Sequence, residues 1–310
     1  MTSTASPAST IRTNNALRAD LMLLVVAAIW GSGFVAQRTA MDHIGPFAFN
    51  TARYAIGAVV LLPFIIRRPR MNSAQIAKGV LLGLVMTIAA GLQQVGMVYT
   101  TAPRAGFITG LYVLFVPLIA LCFGSRTNTG HILGIILASL GMYLLAGDIS
   151  LTQGVGRGDL LIAICAVMWA LHVVLIAYLV KTADPLSLAF VQFVTVALVS
   201  LAIERATETT TLPGIHDALG AILFSGILVV GVAFTLQIIA QKHAPPTHAA
   251  IIMSLEAVFG ALFGWMLLSE TLSSKELVGC ALMLAGMILA QLWPHKRTRA
   301  ERAELIDPVR

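Results

Sequence analysis

Ten runs of mostly apolar residues, each near the ~20 that a helix needs to cross a hydrocarbon core, fill almost all of this 310-residue chain. They fall at roughly 21–40, 47–66, 76–99, 104–124, 131–147, 160–180, 186–204, 217–241, 248–269 and 276–293. No stretch is left for a water-soluble domain. The connections are short and carry chain breakers, among them Gly45-Pro46, Arg68-Pro69, Asp184-Pro185 and Pro245-Pro246. Only 11% of the residues are charged, about half of what a soluble domain of this size carries. The expected fold is an all-α integral membrane protein with ten transmembrane helices. Residues 1–19 read as a disordered tail and 294–310 as a basic tail. The first apolar run is too long for a signal-peptide core, so it reads as a retained helix.

A net charge of +6 could suggest nucleic acid, but the basic residues sit at the ends of apolar runs and in the tails, where they set orientation instead. Fourteen Lys and Arg residues, Arg67, Arg68, Arg70 and Lys181 among them, lie in the termini and the even-numbered connections; five lie on the opposite side. Both termini are therefore expected to be cytoplasmic. The lipid bilayer is the expected partner and nucleic acid is not. Cys122, Cys165 and Cys280 lie singly in three apolar runs, without the spacing of a disulfide framework or a zinc site.

The chain also repeats itself. Arg18, Asp20, Trp30 and Pro46 fall on Arg157, Asp159, Trp169 and Pro185 at a constant offset of 139. Leu92-Gln93, Leu111 and Phe115 then meet Leu236-Gln237, Leu255 and Phe259 at 144, and Gly134, Gly141 and Met142 meet Gly279, Gly286 and Met287 at 145. The two units are expected over 20–147 and 159–293. Each holds five spans, an odd number, so the second must lie inverted in the membrane. Inverted repeats place a binding site near the midplane at their interface, and two bundles rock around it.

One carboxylate stands inside an apolar run. Glu256 lies roughly 12–14 Å from the cytoplasmic edge by helix rise, and Arg53 about 10 Å from the opposite edge, so their levels differ by about one turn. A charge at that depth costs several kcal/mol unless it faces partners or water, which makes Glu256 the candidate for an amine or proton contact. Arg53 either snorkels outward, neutralises Glu256, or takes a substrate carboxylate. Trp30 and Trp169 occupy equivalent places near the midplane rather than the interfacial belt, and their indoles suit the walls of an amphipathic site. His172 follows Trp169 by three residues and shares its face. Asn50, Gln93, Gln94, Gln192, Gln237 and Gln241 supply uncharged donors and acceptors, for a cavity or for bonds between helices. Tyr112 falls on Glu256 in the repeat, one half offering a phenol where the other offers a carboxylate. Trp30, Asn50, Arg53, Gln93, Tyr112, Trp169, His172 and Glu256 are thus the candidate substrate-binding residues. The glycines of spans 5 and 10 read as close helix contacts, within one chain or in a homodimer. Glu270 reads as a solvated helix end. No nucleophile elbow, H-E-x-x-H pair or nucleotide loop occurs, so no cofactor, metal or catalytic residue is expected.

The stretch AIWGSGFVAQRTAM around Trp30-Gly31-Ser32, the segment GPFAFNTARY at the start of span 2 and LEAVFGALFGWMLLSE in span 9 resemble the drug/metabolite transporter superfamily, specifically a bacterial EamA-type permease with two EamA repeats. The resemblance covers about 20–293. It implies an inner-membrane exporter of amino acids or other small metabolites, driven by proton or substrate exchange through a central cavity. In that family a proline usually follows the span-9 glutamate. Here Ala257 stands in its place, so a straighter ninth helix is expected. Metabolite uptake, an intramembrane enzyme acting on a lipid through Glu256 and His172, and a non-transporting scaffold are the alternatives.

Overall fold

The computed structural model describes residues 7–100, 102–125, 127–145, 156–268 and 273–293. Fourteen α-helices and one π-helical segment make up the regular structure of these residues: α1 (Pro7–Ala40), α2 (Pro46–Ile65), α3 (Ser73–Val98), α4 (Ala102–Gly110), α5 (Tyr112–Cys122), α6 (Thr129–Leu145), α7 (Arg157–Leu179), α8 (Pro185–Thr207), α9 (Leu212–Asp217), α10 (Leu219–Phe224), π-helical Ser225–Phe234, α11 (Thr235–Gln241), α12 (Pro246–Met253), α13 (Glu256–Leu268) and α14 (Ser274–Leu292). Eight helical stretches among the described residues are long and apolar enough to cross a membrane, and Thr129–Leu144 is a shorter apolar helix.

Local chemistry fixes where the helices start. Proline stands at the first positions of α2, α8 and α12, where its missing N–H costs nothing. Asn72 caps α3 by accepting from Gln75 N at 2.9 Å while Gln75 reaches back to Asn72 N, and Ser273 with Glu276 does the same for α14. The N-terminal segment expected to be disordered through residue 19 is helical from Pro7 onward. Once the membrane span nucleates a helix, extending it backward through residues such as Ala16 and Leu17 adds a hydrogen bond per residue without a new nucleus. Residues 1–6 and 294–310, and with them the C-terminal tail, lie outside the described residues, as does Glu270.

Three of the expected spans are not continuous α-helices. Span 4 breaks at Leu111, between α4 and α5, and span 9 breaks at Ser254-Leu255, between α12 and α13. The two breaks are repeat equivalents. In the first half the break is a tight turn, Leu111 N donating to Ile108 O at 3.2 Å and Leu114 N to Leu111 O at 3.0 Å, while Pro117 lies further on, inside α5. In the second half the expected straighter helix does not form despite Ala257. The chain turns tightly there, Leu255 N donating to Ile252 O at 3.1 Å and Ala257 N to Ser254 O at 3.3 Å, with the Ser254 hydroxyl bonded back to Ile251 O at 2.8 Å. Span 8 is interrupted differently, by the π-helical turns Ser225–Phe234.

The packing is invariant to exchange of the halves. The α6–α14 pair makes the most extensive helix contact, and α2 packs on α8 as its own counterpart. The contact of α3 with α7 is matched by that of α1 with the α10–α11 stretch, and α4–α5 against α7 by α12–α13 against α1. Inversion is visible in the glycines. A Cβ on Gly134 would stand 2.8 Å from Gly286 O, and one on Gly141 would stand 2.5 Å from Gly279 O, so α6 and α14 run antiparallel with each glycine facing the equivalent of its neighbour. These glycine faces are consumed within one chain.

The connections sort onto two ends of the bundle. At one end Glu208, just past α8, accepts from Phe47 N and Ala48 N, both at 2.9 Å, and so caps α2, whose own N-cap is Gly45. At the other end Arg68, just past α2, pairs with Asp184, which caps α8 through Ser187 N at 2.9 Å. Each helix of the antiparallel α2–α8 pair is thus tied at its N-terminus by a group just beyond the C-terminus of the other. The short helix α9 fills the longer connection of the second half, which is where the repeat offset moves from 139 toward 144.

Candidate functional site

A narrow cavity of about 40 Å³ lies between the halves, lined by residues of both. Of the residues expected to line a site, Trp30, Arg53, Gln93, Tyr112, Trp169 and Glu256 face it. Three repeat pairs meet there: Trp30 with Trp169, Tyr112 with Glu256, and Gln93 with Gln237.

The helix breaks position two of these groups. Tyr112 is the first residue of α5 and Glu256 the first of α13, so both half-helices start at the cavity and turn the positive ends of their dipoles toward it. That placement offsets part of the cost of a carboxylate so deep in the bundle. Glu256 is 4% exposed, and its Oε1 has no hydrogen-bond partner among the described residues; the Tyr112 hydroxyl and the Trp30 indole N–H are likewise unpartnered. Gly31 packs directly against this backbone, where a Cβ would stand 2.4 Å from Glu256 O.

Arg53 does not snorkel. It is 2% exposed, its Nε donates to Asn50 Oδ1 at 3.0 Å and its Nη1 to Gln37 Oε1 at 2.8 Å. The guanidinium also lies over the rings of Phe49 and Tyr54, 5.1 and 4.9 Å from their centroids. It forms no ion pair with Glu256. Among the described residues its hydrogen bonds go to two neutral amides, so its charge has no bonded counter-ion. The repeat equivalent of Arg53 is Gln192, whose Oε1 lies 3.0 Å from His172 Nε2. The charge therefore belongs to one half alone.

Two of the expected residues stand one layer behind the wall. Asn50 holds Arg53, and His172 is fully buried between Gln192 and the edges of Trp169 and Phe234, at ring distances of 5.7 and 6.5 Å. A step of three residues from Trp169 turns His172 toward α8 and away from the cavity. Phe34, Gln37, Thr109, Val173, Val229 and Phe234 face the cavity without having been singled out in the sequence. Helical spacing carries the signal for three of them: Phe34 and Gln37 follow Trp30 by four and seven residues, and Val173 follows Trp169 by four. Phe234 depends on the π-helical turns. It closes that segment and sits between the two tryptophans, 4.8 Å from Trp30 and stacked on Trp169 at 5.5 Å and 16°.

The profile of the EamA-like transporter family matches residues 17–147 and again 156–292. An uncharacterized transporter of Archaeoglobus fulgidus is 34% identical over 278 residues, covering 89% of this chain and 86% of its own. The uncharacterized transporter YoaV of Bacillus subtilis is 22% identical over 87% of this chain and 95% of its own, and a chloroplastic WAT1-related protein of Arabidopsis thaliana is 24% identical over 84% and 66%. A solved crystal structure superposes with a TM-score of 0.74 at 21% identity, covering 88% of this chain and 96% of that one.

Proposed function

This chain belongs to the EamA-like transporter family, and we propose that it is a secondary active transporter that moves a small amphipathic metabolite, an amino acid or a conjugate of one, through the cavity between its halves. Ten spans carry it, α6 and α14 completing the eight that are long and apolar enough by themselves. One observation carries the reading: a buried carboxylate and a buried guanidinium face a single cavity at the interface of two inverted repeats, in a chain whose relatives are named as transporters. Arg53 receives an anionic group. Glu256 receives a proton or a cationic group, and its exchange couples transport to a gradient. Trp30, Trp169 and Phe234 enclose the apolar part, while Gln93 and Tyr112 offer neutral hydrogen bonds. Asn50 and His172 act as positioning residues behind the wall.

The distribution of Lys and Arg supports a membrane orientation with both termini in the cytoplasm, in a bacterial inner membrane. Export is the expected direction. Counterflow into proteoliposomes, comparing wild type with Glu256→Gln at equal reconstituted amounts, tests the reading. Saturable exchange that the variant loses supports it; equal exchange by both proteins removes Glu256 from the mechanism, and conversion of the compound to a different product makes the protein an enzyme.

A further inference from the structure

The cavity has two polar ends that lie too far apart for one α-amino acid. Arg53 O lies beside Gly226, at 3.1 Å from where a Cβ would stand, and α2 runs parallel to the α10–α11 stretch there, since Gly57 meets Val230 further along. Gln237 comes eleven residues after Gly226 on that stretch. At up to ~1.5 Å per residue, and less through the π-helical turns, the Arg53 and Gln237 backbones are separated by at most roughly 15 Å along the bundle, and on the order of 10 Å remains after Gln237 reaches toward Arg53, whose own side chain turns back to Asn50 and Gln37. The carboxylate and ammonium of a free amino acid sit on one carbon.

Gln237 is the unexplained group. It is 1% exposed, it faces the cavity, and neither its Oε1 nor its Nε2 has a hydrogen-bond partner among the described residues. Buried amides are almost always satisfied, and an unpaired one costs about 1–3 kcal/mol. Its repeat equivalent has a partner within the protein, Gln93 Nε2 donating to Thr109 Oγ1 at 3.2 Å. Between Gln237 and Arg53 the wall is aromatic, formed by Trp30, Phe234 and Trp169.

We infer that the substrate is an elongated organic anion, its carboxylate at Arg53, an apolar or aromatic middle along the Trp30–Phe234–Trp169 wall, and an amide at Gln237. An amide donates and accepts at once, which satisfies both atoms of the Gln237 side chain. N-acylated and peptide-linked acids belong to this class, and free amino acids do not. The inference rests on the transport reading for its biological sense, but its chemistry is tested by binding alone.

The probes are para-acetamidophenylpropanoate, its apolar analogue para-isopropylphenylpropanoate, and phenylalanine, each titrated onto the purified full-length protein in detergent with thermal stabilisation as the readout. Wild type is expected to bind the acetamido compound about tenfold or more tightly than either of the others, because a site built to hydrogen-bond a group rejects the analogue lacking it. Gln237→Leu should bring the ratio of acetamido to isopropyl affinity to about one, and Arg53→Gln should abolish binding of both. Gln237→Met, closer in shape, is read in its place if Gln237→Leu does not fold. Phenylalanine binding as well as the acetamido compound, an unchanged ratio in the Gln237 variants, or no binding of any probe would overturn the proposal. Counterflow with the same probes separates the two readings. Selective binding without exchange sinks transport and leaves the site, whereas efficient exchange of phenylalanine sinks the elongated substrate and leaves transport.

Discussion

Arg53 donates from Nη1 to Gln37 Oε1 across 2.8 Å, joining the cavity face of α1 to the first two turns of α2. With Nε held by Asn50, the guanidinium is aimed by two amides that orient it without cancelling its charge. A guanidinium buried this way remains available to an anion. It is also a local liability for stability, since a buried charge depends on every bond it keeps.

Gln37→Leu should therefore destabilise the protein by roughly 1.5–3 kcal/mol, the range for a hydrogen bond to a charged group. Adding Arg53→Met should recover part of the loss while removing anion binding, because no uncompensated charge is then left inside. Thermal unfolding in detergent, read beside ligand-induced stabilisation, checks both halves. A double variant less stable than Gln37→Leu alone would contradict the argument.

The two ties of the α2–α8 pair differ in strength. Glu208 satisfies two backbone N–H groups of α2, so Glu208→Ala should cost about 0.5–2 kcal/mol. Arg68 and Asp184 are partly exposed, so Arg68→Ala should cost at most about 1 kcal/mol and less in high salt. Melting curves of the two variants at low and high ionic strength give the order directly.

Glycine variants test the inverted contact. At Gly286 a Cβ would stand 2.7 Å from Gly134 O, a backbone atom that cannot step aside, so Gly286→Val should push α6 from α14 and give aggregated or poorly folded protein on size exclusion. Gly220 in α10 has nothing within 4 Å of its Cβ position, and Gly220→Ala should be neutral or stabilise by about 0.4–1 kcal/mol.

Glu256→Gln keeps the shape of the side chain and removes its ability to exchange a proton. Wild-type counterflow should vary with pH and respond to an imposed pH gradient, whereas the variant's residual exchange should respond to neither. A pH profile of the same form in both proteins would place the titrating group elsewhere.

Much of this arrangement is legible in the amino-acid sequence. The duplicated Trp, Gln and Gly positions point to two halves, and five apolar runs in each imply inversion; the glycine contact of α6 and α14 is antiparallel. The cavity was half legible. Trp30 and Glu256 are placed by depth and Tyr112 by the repeat, but Phe34 and Gln37 carry no mark beyond the helical face they share with Trp30. Depth cannot tell wall from backing, and so His172 and Asn50 were expected on a wall that they support from behind. The break before Glu256 was hidden for another reason: no proline marks it, and the serine back-bond beside it, Ser254 to Ile251 O, has a twin in Ser32 to Ile29 O within the unbroken α1. The π-helical turns left no recognisable mark in SGILVVGVAF.

Those turns carry one more consequence. The counterpart of the interrupted span 8 is α3, 26 residues of uninterrupted α-helix. If the two faces of the membrane are opened in turn by the halves trading shapes, the trade is unequal, because one partner has a register shift that the other lacks. The conformations open to either side then differ in free energy, and a protein without substrate rests on one of them. Its idle state would then have a sidedness, set by ten residues that reach the cavity only through Val229 and Phe234.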